Sequence, residues 1–156
     1  FKFKNFFKKI YTIFDFIIYK NKLNFNKRII KENDLIEITE KLNNIFLKVD
    51  IEGAEYKILN DIKNVENKLT CLVIEFHDVY ENREKIEKFI SEFKLKLIHI
   101  HPNNYGKVDK NGDPNIIELT FDKHPSIIDN INILPNCHDQ KNDPSSDDIK
   151  LNFIKD

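Results

Sequence analysis

Hydrophobic and polar residues alternate with two different periods along the chain, and these periods predict alternating strands and helices. The segments IFLKVD (45–50), LTCLVIEF (69–76) and KLKLIHI (94–100) are short and rich in aliphatic residues, which is typical of strands. Between them, apolar side chains recur at helical spacing over 54–65 and 81–93. This order of elements indicates an α/β protein with a mostly parallel sheet.

The segment NIIELTF (115–121) predicts a fourth strand. The stretch HPNNYGKVDKNGDP between it and the third strand is too short for a helical crossover. We therefore expect the last strand to run antiparallel to the third one, with Asn111 and Gly112 in the turn. The predicted fold class is α/β, with mostly parallel strands and an antiparallel last strand.

The two flanks of this α/β segment differ from it in pattern. Over residues 1–20, apolar side chains at helical spacing alternate with lysines, which predicts a basic amphipathic helix docked on the body. A membrane-surface anchor is the less favoured alternative. A short helix is expected over 35–42, and the Pro-, Asn- and Asp-rich tail reads as irregular. The sequence thus divides into a basic segment (1–44), an α/β segment (45–121) and a tail (122–156).

Charge is distributed unevenly along a chain of the size of one domain, with 156 residues and a net charge of -1. Residues 1–31 carry a net charge of +8, which leaves -9 for the remainder. The basic end suits weak contact with a membrane surface, whereas the acidic body argues against nucleic-acid binding. The 2 cysteines form neither a CxxC pair nor a disulfide framework, so we expect a reducing, cytoplasmic setting.

Polar side chains gather where the predicted strands end. In open parallel sheets, ligands bind beyond the carboxyl ends of the strands. The residues at these ends are Asp50 and Glu52 after the first strand, Glu75, His77 and Asp78 after the second, and His99, His101, Asn103 and Asn104 after the third. Their meeting at one rim of the sheet is the central prediction of the sequence.

Each of these residues also has a purely structural interpretation. Glu52 and Glu55 fall in the first turn of a predicted helix, where the helix dipole favours negative charge by about 0.3–1 kcal/mol. Gly53 suits an unusual backbone angle. The histidines of the third strand suit satisfied structural roles, and the asparagines after it suit a turn. Only the convergence of several such residues favours a functional site.

Asp50, Glu75 and His77 form the candidate catalytic set. A carboxylate or an imidazole there would take the proton from a substrate hydroxyl. Alternatively, the same three residues would hold a divalent metal. We prefer the base and predict no metal, because the metal spacing rests on a predicted sheet and not on a compact motif. Glycines occur only at 53, 106 and 112, so neither GxGxxG nor a phosphate-binding loop exists in this chain.

The segment LKVDIEGAEYKIL (47–59) resembles the signature of the FkbM-type methyltransferases, which carry a lysine, an aspartate and an EGxE group at the end of a central strand. The segments LVIEFHD, LIHIHPNNYG and NIIELTF, and more loosely LPNCHDQKNDP, are similar to later parts of one branch of that family. They follow in the same order, and the resemblance covers about residues 45–144.

The resemblance implies a Rossmann-like class I fold that uses S-adenosylmethionine to methylate a hydroxyl, commonly on a sugar or another small molecule. Its signature residues match Asp50, Glu52, Gly53 and Glu55, and its next acidic residue matches Glu75. The roles come from the strand-end argument instead, with Asp50 as base or substrate orienter, supported by Glu75 and His77. The residues expected to contact the substrate are Glu52, Glu55, His101, Asn103 and Asn104.

One part of the family pattern is missing. The resemblance implies a glycine-rich turn for the methionine part of the cofactor and an acidic residue for its ribose, both in the first half of the domain. No glycine precedes Gly53 here, so we expect either a truncated chain or a degenerate relative. Truncation is preferred because the chain begins with Phe1. The alternative function is a non-catalytic binding or accessory domain.

Overall fold

The computed structural model describes the backbone of residues 10–12, and residues 34–126, 134, 136 and 139–151. Its strands are β1 (Ile10–Thr12), β2 (Ile45–Val49), β3 (Leu69–Phe76), β4 (Lys96–Pro102) and β5 (Ile117–Asp122). Its helices are α1 (Asp34–Thr39), α2 (Glu55–Val65) and α3 (Val79–Glu92), with one 3-10 turn at Glu66–Lys68. These bounds confirm the α/β alternation predicted from the sequence.

The five described strands form one mixed sheet in the order β1-β2-β3-β5-β4. β2 is parallel to β1 and β3, while β5 is antiparallel to both β3 and β4. Strands β2, β3 and β4 therefore point the same way, and the antiparallel last strand is confirmed. β5 also lies between β3 and β4, which separates these two strands by about 10 Å.

The predicted N-terminal helix is wrong at Ile10–Thr12, which form β1. This strand pairs with Phe46, Leu47 and Lys48 of β2, whose free edge offers backbone hydrogen-bonding groups. Pairing with that edge overrides the helical periodicity of a stretch that also contains the good strand formers Ile10, Tyr11 and Thr12. The rest of the predicted helix lies outside the described residues.

The hydrophobic core lies between one face of the sheet and helices α2 and α3. Leu72, Ile74 and Phe121 are fully buried on that face, and the ring of Phe89 from α3 meets the Phe121 ring edge-on at 5.8 Å. The opposite face is polar in part, because side chains alternate along a strand. There, Glu118 of β5 lies opposite Glu75 of β3 and His101 of β4.

The tail beyond β5 contains no helix or strand among its described residues, 123–126, 134, 136 and 139–151. This agrees with the irregular structure expected for it. Within the described parts of the chain, no helix has the length and apolar character needed to cross a membrane.

Candidate active site at the ends of β2 and β3

A tight turn connects β2 to α2. The Ala54 amide donates to the Ile51 carbonyl at 3.3 Å, and the two residues between them have positive φ angles, 56° at Glu52 and 92° at Gly53. Glycine adopts such angles freely, whereas glutamate does so at a cost of about 1–3 kcal/mol. The turn therefore requires Gly53 and keeps Glu52 in a strained conformation that places its side chain in solvent, 75% exposed.

The carboxylate of Glu55 lies inside this turn. Its Oε1 accepts hydrogen bonds from the Ile51 amide at 3.2 Å and from the Gly53 amide at 3.0 Å. Glu55 is fully buried, and its Oε2 has no hydrogen-bond partner among the described residues. Part of the EGxE segment thus folds on itself, with the second glutamate bound by the backbone of the turn that the glycine permits.

His77 follows β3 and bridges the turn to the rim of the sheet. Its Nδ1 lies 3.1 Å from Glu55 Oε1, and its Nε2 lies 3.5 Å from Glu52 Oε2. The hydroxyl of Tyr56 donates to the His77 carbonyl, which fixes the backbone as well as the ring. An ionised carboxylate only accepts, so the Nδ1–H of His77 donates to Glu55 and Nε2 faces the rim.

Asp50 differs from the other acidic residues of the signature. Its side chain is partly exposed and has no hydrogen-bond or ion-pair partner among the described residues. One ligand atom each from Asp50, Glu52 and His77 lie within 4.8 Å of one another. Asp50 therefore presents an unpaired carboxylate beside the imidazole of His77.

Glu75 lies at the end of β3 and is 8% exposed. Burial raises the pKa of its carboxyl above the ordinary value of 4.5, and the Asp50 and Glu118 carboxylates raise it further. The Asn103 Nδ2 group donates to Glu75 Oε1 at 2.6 Å and opposes part of this rise in pKa. Glu75 and His77 are two residues apart at the end of β3, and one ligand atom of Asp50 lies within 4.8 Å of one of His77, so the three candidate catalytic residues lie at the same end of the sheet.

The other predicted site residues take different positions. Asn103 is buried, and its Oδ1 accepts from the Tyr105 amide at 2.9 Å while its Nδ2 holds Glu75. His101 and Asn104 bond to residues of the tail instead. The segment after β4 thus contacts β3 only through Asn103, whereas His101 and Asn104 contact the tail. The substrate contacts assigned to these residues stay predictions.

The potential metal ligands that the structure brings together differ from the set that the sequence predicts. The sequence groups Asp50, Glu75 and His77, whereas the structure brings ligand atoms of Asp50, Glu52 and His77 together. Glu75 is instead bound to the side chain of Asn103. The strained turn at Glu52 causes the exchange, since it directs that side chain back toward His77.

Three charged residues, two on strands beside the rim and one in the tail, are not predicted from the strand ends. Lys48 Nζ lies 3.5 Å from Glu118 Oε2, with Lys48 inside β2 and Glu118 near the start of β5. Glu118 could be predicted as a neighbour of Glu75 on the same face of the sheet, but only once the position of β5 is known. Asp139 lies in the irregular tail, where no periodicity points to it.

Comparison with known proteins identifies the family to which the chain belongs. The model of the methyltransferase FkbM domain matches residues 26–137, well over half of the chain and inclusive of β2 to β5. Neither the curated proteins nor the solved structures contain a match. The match covers the EGxE turn and the strand ends that form the rim, and the chain belongs to the FkbM methyltransferase domain family.

Proposed function

We propose that this protein is an S-adenosylmethionine-dependent O-methyltransferase that acts on a hydroxyl of a sugar or another small molecule. Membership of the FkbM methyltransferase family supports methyl transfer. The rim formed by Asp50, Glu75 and His77 supports a hydroxyl as the acceptor, because an alcohol must lose a proton when its oxygen is methylated. We also propose that the sheet is Rossmann-like, with parallel β2, β3 and β4 and antiparallel β5.

The pairing of buried Glu55 with His77 carries this proposal. Glu55 is fully buried and takes the Nδ1 side of the ring at 3.1 Å, so Nε2 holds a lone pair toward the rim when the imidazole is neutral. A buried carboxylate that orients a histidine in this way also stabilises the imidazolium formed on proton uptake. We assign His77 Nε2 as the atom that accepts the hydroxyl proton.

Asp50 and Glu75 are the other residues that we propose to act on the hydroxyl that receives the methyl group. Asp50 has no partner among the described residues, so its carboxylate is available to accept a hydrogen bond from the incoming hydroxyl and align its oxygen. Glu75 is held in place by the Asn103 side chain at 2.6 Å and lies two residues before His77. These roles keep Asp50 as the substrate orienter and give the proton transfer to the histidine.

The residues of this chain do not provide the binding site that the family pattern implies for the methyl donor, S-adenosylmethionine. The family pattern implies a glycine-rich turn against the cofactor, but glycines occur only at 53, 106 and 112. Gly53 serves the turn after β2, and an added Cβ there would meet only Asp78 Oδ2, at 3.8 Å. We therefore restrict the role of these residues to the acceptor and assign no step to the cofactor.

A transfer assay tests the proposal. The full gene product is incubated with S-adenosylmethionine labelled in its methyl group and with a panel of sugars and small alcohols. We expect transfer to a hydroxyl and a loss of at least about 100-fold in the variants Asp50→Asn and His77→Gln. The exposed His124→Gln variant is the matched control. Turnover that survives in both rim variants would exclude this rim from the reaction.

A titration separates the enzyme from an accessory domain. The absence of a glycine-rich turn favours the accessory alternative for the 156 residues by themselves. We expect calorimetry to detect no S-adenosylmethionine binding by this chain, and micromolar binding would overturn the statement that its residues do not fit the donor. If the full gene product also binds no donor but binds an acceptor sugar, the accessory function replaces the enzyme.

A further inference from the structure

A second cluster of metal-binding side chains lies on β4, away from the Asp50 rim. His99 Nε2 is 2.9 Å from Asp139 Oδ1, and His101 Nδ1 is 3.8 Å from Asp139 Oδ2. One ligand atom from each of these three residues lies within 4.8 Å of the other two. The two imidazole rings are nearly parallel, with an interplanar angle of 23°. Two imidazoles and one carboxylate thus lie close enough together to share one ion.

The hydrogen bonds of His101 determine which of its nitrogens is free. Its Nε2 lies 2.9 Å from Asn142 Oδ1, and an amide oxygen only accepts, so Nε2 carries the hydrogen. Nδ1 of the neutral ring then holds a lone pair. This atom is buried and has no hydrogen-bond partner among the described residues, and His101 is only 9% exposed. A buried lone pair therefore faces the carboxylate of Asp139.

His101 Nδ1 faces no hydrogen-bond donor among the described residues. A lone pair and a carboxylate oxygen 3.8 Å apart are two acceptors too far apart to share a proton. A buried acceptor without a partner destabilises the folded state. A cation between Nδ1 of His101 and Asp139 would satisfy both, while the Asn142 contact keeps the ring in the tautomer that metal binding needs.

Hydrogen bonds to the tail fix the position of Asp139. Asn104, just after β4, donates from Nδ2 to the Asp143 carbonyl at 2.9 Å and accepts from the Asp143 amide at 2.7 Å. The Asn136 amide donates to Asp139 Oδ2 at 2.6 Å, which orients the carboxylate and leaves Oδ1 directed at His99. These contacts hold the carboxylate of Asp139 beside the two imidazoles.

We propose that His99, His101 and Asp139 bind a divalent first-row transition metal, with Zn²⁺ as the ion best suited to two imidazoles and one carboxylate. Three protein ligands leave a coordination position for water or a ligand, on the side of His99, whose side chain is 28% exposed.

This site is separate from the proposed methyl transfer. β5 lies between β3 and β4, so about 10 Å separates the strand of His99 and His101 from that of Glu75. Asp139 also falls outside the residues 26–137 that match the family model. The metal site is therefore proposed on its own geometry and can be tested without the methyltransferase activity.

Zn²⁺ titration of the chelator-treated, full-length chain by calorimetry tests the proposal. We expect the variants His99→Gln and Asp139→Asn to weaken Zn²⁺ binding by at least about 100-fold, since loss of an outer partner alone costs 10–100-fold. His124→Gln and Asp147→Asn are matched controls on exposed residues and should bind as the wild type does. Wild-type affinity in both cluster variants, or no binding by the wild type, would overturn the proposal.

Two further measurements locate the ion. The variant Asp50→Asn/His77→Gln should retain Zn²⁺ binding, and loss of binding there would assign the ion to the other rim. Imidazole nitrogen resonances of the wild-type protein give an answer that does not depend on the folding of any variant. Those of His99 and His101 should shift with Zn²⁺, while that of His124 stays; the reverse pattern would refute the site.

Discussion

The buried carboxylate of Glu55 should determine the stability of the turn after β2. Its Oε1 accepts from the Ile51 and Gly53 amides and from His77, and the residue is fully buried. Hydrogen bonds to a charged group contribute about 1.5–3 kcal/mol each, and removal of one partner from a buried ionic contact costs about 3–5 kcal/mol. We expect Glu55→Ala to lower the free energy of unfolding by about 3–5 kcal/mol.

Glu55→Gln isolates the role of the charge. Glutamine keeps an oxygen that can accept from both turn amides, and its nitrogen takes the place of Oε2, which has no partner among the described residues. Charge-assisted hydrogen bonds are roughly twice as strong as neutral ones, so the cost should be about 1–2 kcal/mol. The order of stability is therefore wild type, then glutamine, then alanine.

Urea denaturation followed by circular dichroism measures these differences. With a slope of about 2 kcal/mol per M for a small protein, Glu55→Ala should lower the midpoint by about 2 M. Glu52→Ala is the matched control, because its side chain is 75% exposed, and it should change stability by less than about 0.5 kcal/mol. A cost below about 1 kcal/mol for Glu55→Ala would refute the proposed role of the carboxylate.

Three other changes have defined outcomes. Asp50→Asn should abolish methyl transfer without changing the urea midpoint, because the Asp50 carboxylate has no partner among the described residues; retained turnover would remove Asp50 from the mechanism. Burial raises the pKa of Glu75 above 4.5, so its contribution to stability is full below that pH and is lost as pH rises through the raised pKa. Glu75→Gln should therefore gain stability relative to wild type between pH 4 and pH 7 in urea melts, and a constant difference would contradict this sign. Burial raises the pKa of Cys71 to about 11, so alkylation at pH 8 in a Cys137→Ser background should be far slower than for an ordinary thiol, and rapid labelling would refute it.

The sequence predicts the elements of this fold better than their arrangement. Strands such as 69–76 and helices such as α2 follow from local periodicity, which the chain itself contains. The position of β5 does not, because a hairpin with β4 and an insertion beside β3 give the same alternation of side chains. Only the pairing of both edges of β5 decides between these arrangements.

The candidate site shows the same limit at the level of single residues. Strand-end reasoning brings Asp50, Glu75 and His77 together, because parallel strands end at one edge. It does not distinguish an acidic side chain that faces solvent from one that binds its own turn. Glu52 and Glu55 are three positions apart, yet one is exposed and the other fully buried, and the positive φ angles of the turn cause that difference.

The position of β5 between β3 and β4 also determines whether mutations can test the Asp50 rim and the Asp139 cluster separately. Had β4 followed β3 directly, His99 and His101 would lie beside Glu75, and any change at one group would alter the other. With β5 between them, Glu118 stands between Glu75 and His101 and pairs with Lys48 at 3.5 Å. Groups farther apart than about 7–10 Å and without shared partners respond almost additively to mutation. Loss of transfer at the Asp50 rim and loss of metal at Asp139 should thus be independent, and strong coupling between them would mean that the two clusters serve one reaction.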